Sequence, residues 1–261
     1  MNISDPAFHL AAPLALPENE VQLWRLDLEA VAAAEGRWQQ LLSGDERTRA
    51  RRFLAAQVRR HFVATRGLLR ILLAGYLGTE PARLKFHYSV REKPGLAEPY
   101  AASGICFNVA HSGGVALLGF GRRREIGVDV EQVRRDLDVD AIARRFFSRE
   151  EQKQLTAVSS AERYEAFFRC WTRKEAYLKA RGEGLWLPLD QFDVNLEAGA
   201  DNALLATRPD PSEAAQWSLR EVAVGRGYLA ALCVAGHGYH LQDWKGRSLE
   251  QGRPDAVPHW E

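Results

Sequence analysis

Asp129 and Glu131 stand two apart in the run Ile126-Gly127-Val128-Asp129-Val130-Glu131. Side chains alternate across a β-strand, so as a strand this run sends Ile126, Val128 and Val130 to one face and both carboxylates to the other. A second set lies in Trp171-Thr172-Arg173-Lys174-Glu175-Ala176-Tyr177-Leu178-Lys179. Helical residues four apart stack, so Trp171, Glu175 and Lys179 share a face there. Three carboxylates converging on a point, with an ammonium one turn away, suit a hard divalent cation and a phosphate-bearing substrate. Each element alone has a plainer use: half-buried strands often turn a polar face to water, and a Glu four residues before a Lys is an ordinary helix pair.

Positioning these groups takes a mixed fold. Val21 to Leu28 alternates as a strand, and a helix is expected from Leu28 to Leu42. Asp45 can cap a second helix that runs through the Arg-rich segment to about Phe53. Phe62, Leu69, Leu72, Leu73, Tyr76 and Leu77 have helical spacing, with Gly78 as a natural stop. Short strands are expected near Lys85–Tyr88, Ile105–Val109 and Val115–Phe120, divided by glycines and prolines.

The second part of the chain echoes the first. Ala50-Arg51-Arg52-Phe53 returns as Ala143-Arg144-Arg145-Phe146, and Thr65-Arg66 as Thr172-Arg173. Gly114-Val115-Ala116-Leu117-Leu118 resembles Gly227-Tyr228-Leu229-Ala230-Ala231-Leu232. Their shared order predicts two related α/β halves with a ligand cleft between them. The expected division is an extended, proline-bearing leader over 1–19, halves over 20–121 and 122–240, and a tail over 241–261.

Composition bounds the function. At 261 residues, 46% hydrophobic and 26% charged, the chain has the balance of a soluble protein with a sizeable core. A net charge of +1 argues against a nucleic-acid binder, although arginines cluster over 47–60 and at Arg122-Arg123-Arg124. The apolar run from Leu68 to Leu77 is broken by Arg70, so no membrane span is expected. Cys106, Cys170 and Cys233 lie far apart in apolar contexts and form no CxxC pair, which predicts free buried thiols in a cytoplasmic protein.

The ordered motifs resemble those of the surfactin-type (Sfp-like) 4′-phosphopantetheinyl transferases from about Ser43 to Ala235. Gly127-Val128-Asp129-Val130-Glu131 looks like the family's G-[IV]-D-[IV]-E, and Trp171 to Lys179 like its W-x-x-K-E-[AS]-x-x-K. Phe107-Asn108-Val109-Ala110-His111-Ser112, Phe146-Phe147-Ser148-Arg149-Glu150-Glu151 and Gly182-Glu183-Gly184-Leu185 fit in the same order. The resemblance implies an α/β (α+β) fold of two pseudo-twofold-related halves, each a small sheet packed with helices, with the active site in the cleft. It also implies a monomeric enzyme that moves the phosphopantetheine arm of coenzyme A to a serine of an acyl or peptidyl carrier protein and releases adenosine 3′,5′-bisphosphate. By the same resemblance, Asp129, Glu131 and Glu175 would hold Mg²⁺ against the pyrophosphate. Lys174 and Lys179 would offset charge on the leaving group, and Glu175 would take the serine proton.

The resemblance further implies that His111 would contact a phosphate and that Arg49, Arg52 and Arg60, which resemble the family's basic positions, would hold the nucleotide end. Lys93, in Arg91-Glu92-Lys93-Pro94, looks like the family's G-K-P lysine, with Glu92 in place of the usual Gly. Two further departures are Glu46, where some relatives carry a basic residue, and Ala110, where many carry Ser. The segment Gly182 to Leu189 would lie beside the pantetheine arm. Two other readings use the same residues: a coenzyme A-binding module without catalysis, and a metal-dependent phosphoesterase.

Overall fold

The computed structural model describes residues 13–32, 35–89, 93–182, 187–200 and 202–245. Its first half runs β1 (Glu20–Asp27), α1 (Leu28–Ala32), α2 (Glu35–Leu41), α3 (Gly44–Arg51), α4 (Ala56–Leu77), β2 (Phe86–Tyr88), β3 (Pro94–Leu96), β4 (Ile105–Ser112) and β5 (Val115–Arg122). The second runs β6 (Ile126–Gln132), α5 (Val139–Phe146), α6 (Arg149–Ala157), α7 (Arg163–Arg181), β7 (Phe192–Val194), β8 (Leu204–Thr207), β9 (Trp217–Glu221) and β10 (Tyr228–Ala235). Each half is thus a strand, a set of helices, a short two-stranded pair and two more strands. In each, the last strand lies between the first and the penultimate, as β1-β5-β4 and as β6-β10-β9. The repeat read from the sequence is a repeat of topology.

Its sequence echoes land unevenly. Gly114 to Leu118 and Gly227 to Leu232 do fall on equivalent strands, β5 and β10. By contrast Ala50 to Phe53 ends α3, whereas Ala143 to Phe146 ends α5, which precedes the counterpart of α3. The true correspondence is carried by buried charge. Ser43 caps α3, and its backbone N–H donates to Glu46 Oε2 at 3.0 Å; Ser148 caps α6, and its N–H donates to Glu151 Oε2 at 2.9 Å. Glu46 accepts from Arg66 Nε at 2.8 Å and from Arg70 Nε at 2.6 Å on α4, and Glu151 lies 2.7 Å from Lys174 Nζ on α7. Arg70 donates to the carbonyls of Pro81 and Leu84, and Lys174 to those of Leu189 and Phe192. Each cation also lies over the ring that opens the next strand, Phe86 or Phe192. Arg70 and Lys174 stand equally far before the left-handed glycines Gly78 and Gly182 that end their helices. Thr65-Arg66 and Thr172-Arg173 are therefore out of register. Glu46, a departure from the family's basic residue, is a structural carboxylate.

Three apolar cores follow among the described residues. Trp24 and Leu26 of β1 pack with α4, and Ala231 and Cys233 of β10 pack with α7. Between the sheets, Val21, Leu23 and Leu117 meet Ile126, Val128, Val130 and Leu232. β1 is accordingly buried on both faces.

Several boundaries differ from expectation. Residues 13–19 are extended, but Leu16 is buried in the first core and the Leu14 N–H donates to the Gly75 carbonyl, so this stretch is part of the fold. The helix expected over Leu28–Leu42 is seen as α1 and α2, with 33 and 34 outside the described residues. Capping of α3 falls to Ser43 rather than Asp45, because Glu46 answers Ser43. Within the expected tail, β11 (His240–Lys245) pairs in parallel with β1, and Trp244 stacks on Trp24 with ring centroids 4.8 Å apart.

Candidate functional site

Alternation does divide β6 as its sequence predicts, but its polar face meets α7 and not water. The meeting is close. A Cβ on Gly127 would lie 2.1 Å from the Ala176 carbonyl oxygen and 2.4 Å from the Ala180 nitrogen, so only glycine lets α7 lie this near the strand. With α7 there, Lys179 Nζ donates to Asp129 Oδ1 at 2.6 Å. Asp129 is buried, and its Oδ2 has no hydrogen-bond partner. A buried carboxylate oxygen left without a donor is costly in a merely structural residue.

The electrostatics mark one cluster. Burial pushes the Asp129 pKa up to about 7; Lys179 pulls it down, and Glu131 and Glu175 push it further up. Burial also raises Glu175, against the pull of Lys179 and with the repulsion of Glu131. For Lys179 burial disfavours the charge, but attraction and hydrogen bonding by Asp129 outweigh it, and its pKa is raised. Glu131 accepts from Ser112 Oγ at 2.7 Å, and that oxygen in turn accepts the Gln132 N–H at 3.1 Å.

Among the described residues, no three of His, Cys, Asp and Glu form a ready cage for a metal ion. The expectation of three carboxylates meeting at a point is therefore corrected to a looser cluster. Mg²⁺ does not ask for a cage. It binds one or two carboxylates, keeps waters and takes the rest of its shell from substrate phosphates. The all-oxygen donors and the unpartnered Asp129 Oδ2 fit such an ion.

His111 sits near the end of β4, exposed, in a cavity of about 500 Å³ that also takes in Glu29, Gln57, His61, Gln132 and Tyr228. Crowding of protein around its ring, then repulsion by His61 and Lys179, lowers its pKa. His61 was missed in the sequence. It is buried, with Nε2 3.1 Å from Glu29 Oε1, and a lone histidine in an apolar helix gives no sign of such a partner. Arg49 and Arg52 are exposed near the end of α3, Arg49 lying over Phe62, the residue after His61. Arg60 is half-buried on α4.

Two assignments change. Lys174 is fully buried and spends its ammonium on Glu151, Leu189 and Phe192, so it does not face the cluster. Lys93 lines a different cavity, of about 350 Å³, with Cys106 and Gly182; it donates to Glu125 Oε2 at 2.8 Å and to the Ala180 carbonyl at 3.1 Å. Of Gly182 to Leu189, residues 183–186 lie outside the described residues, as do Arg91 and Glu92. Cys170 and Cys233 are free and buried, and Cys106 is free and half-buried.

Known proteins are similar over nearly the whole of this arrangement. The family profile described as the 4′-phosphopantetheinyl transferase superfamily matches residues 125–233. A second profile, 4′-phosphopantetheinyl transferase, N-terminal, matches residues 33–119. The chain is 39% identical over 231 residues to the 4′-phosphopantetheinyl transferase HetI of Nostoc sp. (strain PCC 7120), covering 88% of this chain and 94% of that protein. It is 28% identical over 199 residues to the 4′-phosphopantetheinyl transferase Sfp of Bacillus subtilis (strain 168), covering 76% and 84%.

Proposed function

This chain belongs to the 4′-phosphopantetheinyl transferase superfamily, and from that premise we propose how its own residues carry the transfer of phosphopantetheine from coenzyme A to a carrier-protein serine. The observation that carries the proposal is the Asp129–Lys179 pair, with its unpartnered Oδ2 and with Glu131 and Glu175 in electrostatic reach.

In this reading Asp129, Glu131 and Glu175 hold Mg²⁺, which when bound neutralises the pyrophosphate so that a hydroxyl can approach phosphorus. The serine oxygen forms the new P–O bond. The bond to the adenosine 3′,5′-bisphosphate oxygen breaks, and that group leaves. Glu175 accepts the serine proton, directly or through a water, and burial has raised its pKa toward the range useful to a base. Lys179 stands beside the same carboxylates and meets the charge that develops on the leaving group. His111, Arg49, Arg52 and Arg60 take the phosphates of the nucleotide end. Lys93 serves as a coenzyme contact only by leaving Glu125, to which it is bonded.

No described helix is long and apolar enough to cross a membrane. Free cysteines support a reducing compartment such as the cytoplasm. The test is mass spectrometry of a panel of apo carrier proteins incubated with coenzyme A and Mg²⁺. The wild-type protein should add one phosphopantetheine to a carrier, and Asp129→Ala or Glu175→Ala should abolish the addition. Transfer at wild-type rate by either variant would overturn the metal assignment. An unmodified carrier with bound coenzyme A would point to a binding module, and cleavage of coenzyme A alone to a phosphoesterase.

A further inference from the structure

β4 and β6 lie side by side but belong to different sheets, so no backbone ladder joins them. Side chains of β4 do that work instead. Asn108 Oδ1 accepts the Val128 N–H at 2.9 Å, and Ser112 Oγ accepts the Gln132 N–H at 3.1 Å. These two N–H groups flank Asp129 and Glu131 along the strand. The contacts therefore set the height of the carboxylate-bearing strand against the strand that carries His111.

Ser112 does more than Asn108. While its oxygen accepts from Gln132, its hydroxyl proton goes to Glu131 Oε2 at 2.7 Å. A serine hydroxyl has one proton and two lone pairs, so this single group can hold a backbone N–H and a carboxylate together. The turn beyond it is fixed from the same side: Gly114 donates its N–H to Tyr228 Oη at 3.1 Å, and a Cβ on Gly113 would lie 2.6 Å from Gln132 Oε1 and 2.7 Å from Tyr228 Oη. The Ser112 oxygen thus sits at the end of β4, beside a turn that packs against Gln132 of β6 and Tyr228 of β10.

We infer that Ser112 is a positioning residue for the metal centre: its hydroxyl, reaching from the first half to the second, fixes the Glu131 carboxylate in the orientation that metal binding requires. This rests on the metal role proposed above for Glu131. Groups that hydrogen-bond to metal ligands typically matter by about 10–100-fold in metal affinity.

The experiment compares Ser112→Ala, Ser112→Thr and Ser112→Val. Thr and Val have nearly the same shape and both suit a strand, so they differ at this position chiefly in the hydroxyl. Mn²⁺ binding to the full chain with saturating coenzyme A is followed by electron paramagnetic resonance, and the Mg²⁺ dependence of carrier modification is measured beside it. Ser112→Thr should bind Mn²⁺ like wild type. Ser112→Val and Ser112→Ala should bind about tenfold or more weakly and need correspondingly more Mg²⁺, with kcat largely recovered at saturating metal. Equal Mn²⁺ affinity for the Thr and Val variants would overturn the inference, and this comparison stands even if the Ala variant does not fold. A wild-type protein that binds no Mn²⁺ would instead remove the metal reading itself.

Discussion

At the scale of single residues, the Asp129–Lys179 pair ties charge to stability. The Asp129 pKa lies at about 7 against an ordinary 3.8, because burial penalises the carboxylate more than Lys179 rewards it. Between those values the folded protein keeps a proton that the unfolded chain has released. This group therefore makes stability fall as pH rises from about 4 to about 7. Asp129→Asn should flatten that slope in urea unfolding carried out in chelator, with the greatest relative gain for the variant at the upper end. Parallel curves for the two proteins would show that burial does not control this carboxylate. Lys179→Met should raise the Asp129 pKa further by removing the ammonium that is bonded to it. In the role proposed for it, meeting the charge on the leaving group, Lys179 should also cost about 10² in transfer rate when lost. Full turnover by Lys179→Met would leave it a structural partner only. The sequence made these residues legible because their spacing, two in the strand and four in the helix, is local. It hid Ser112 and His61, whose partners come from distant elements.

Among the elements, the repeated clamp gives Lys174 a structural use that its place in the motif does not reveal. Beside Glu175 in a motif, its charge looks chemical. Its acceptors are Glu151 and two carbonyls near the next short strand, and no local pattern announces them. Removing one member of a buried ion pair typically costs about 3–5 kcal/mol. Lys174→Met should therefore lower stability by roughly that amount in denaturant titration, with transfer lost through unfolding. A variant as stable as wild type but unable to transfer would return Lys174 to the chemistry. Gly127→Ala tests the other contact that builds the site. The new methyl would meet α7 backbone, which cannot turn aside as a side chain can. Overpacking of about 1–3 kcal/mol or more is expected. The displacement of α7 should also carry Glu175 and Lys179 away from Asp129, so activity should fall further than stability. An Ala variant with wild-type turnover would show that the two elements need not lie this close.

Across the whole molecule, the two halves differ in the carboxylates proposed to hold the metal: Asp129, Glu131 and Glu175 all belong to the second half. By the common strand pairing, the places of Asp129 and Glu131 are taken in the first half by Trp24 and Leu26, both buried. The first half's equivalent face is a hydrophobic core, and Trp244 of β11 covers part of it. The sequence hid β11 because His-Leu-Gln-Asp-Trp-Lys is short and mostly polar, and its partner lies at the other end of the chain. A chain ending at residue 239 should melt at a lower temperature than the full chain, as followed by circular dichroism, since it loses that strand, the Trp24 stack and the Arg25–Asp243 ion pair. An unchanged melting temperature would make β11 an ornament. Its place also has a consequence for synthesis. The first sheet receives its outer strand only after the entire second half has left the ribosome. Until then β1 presents a bare edge to every other nascent chain nearby. Newly made protein should thus be most prone to aggregate while its carboxylate-bearing half is still being translated, and splitting the gene between the halves would leave the first product permanently in that condition.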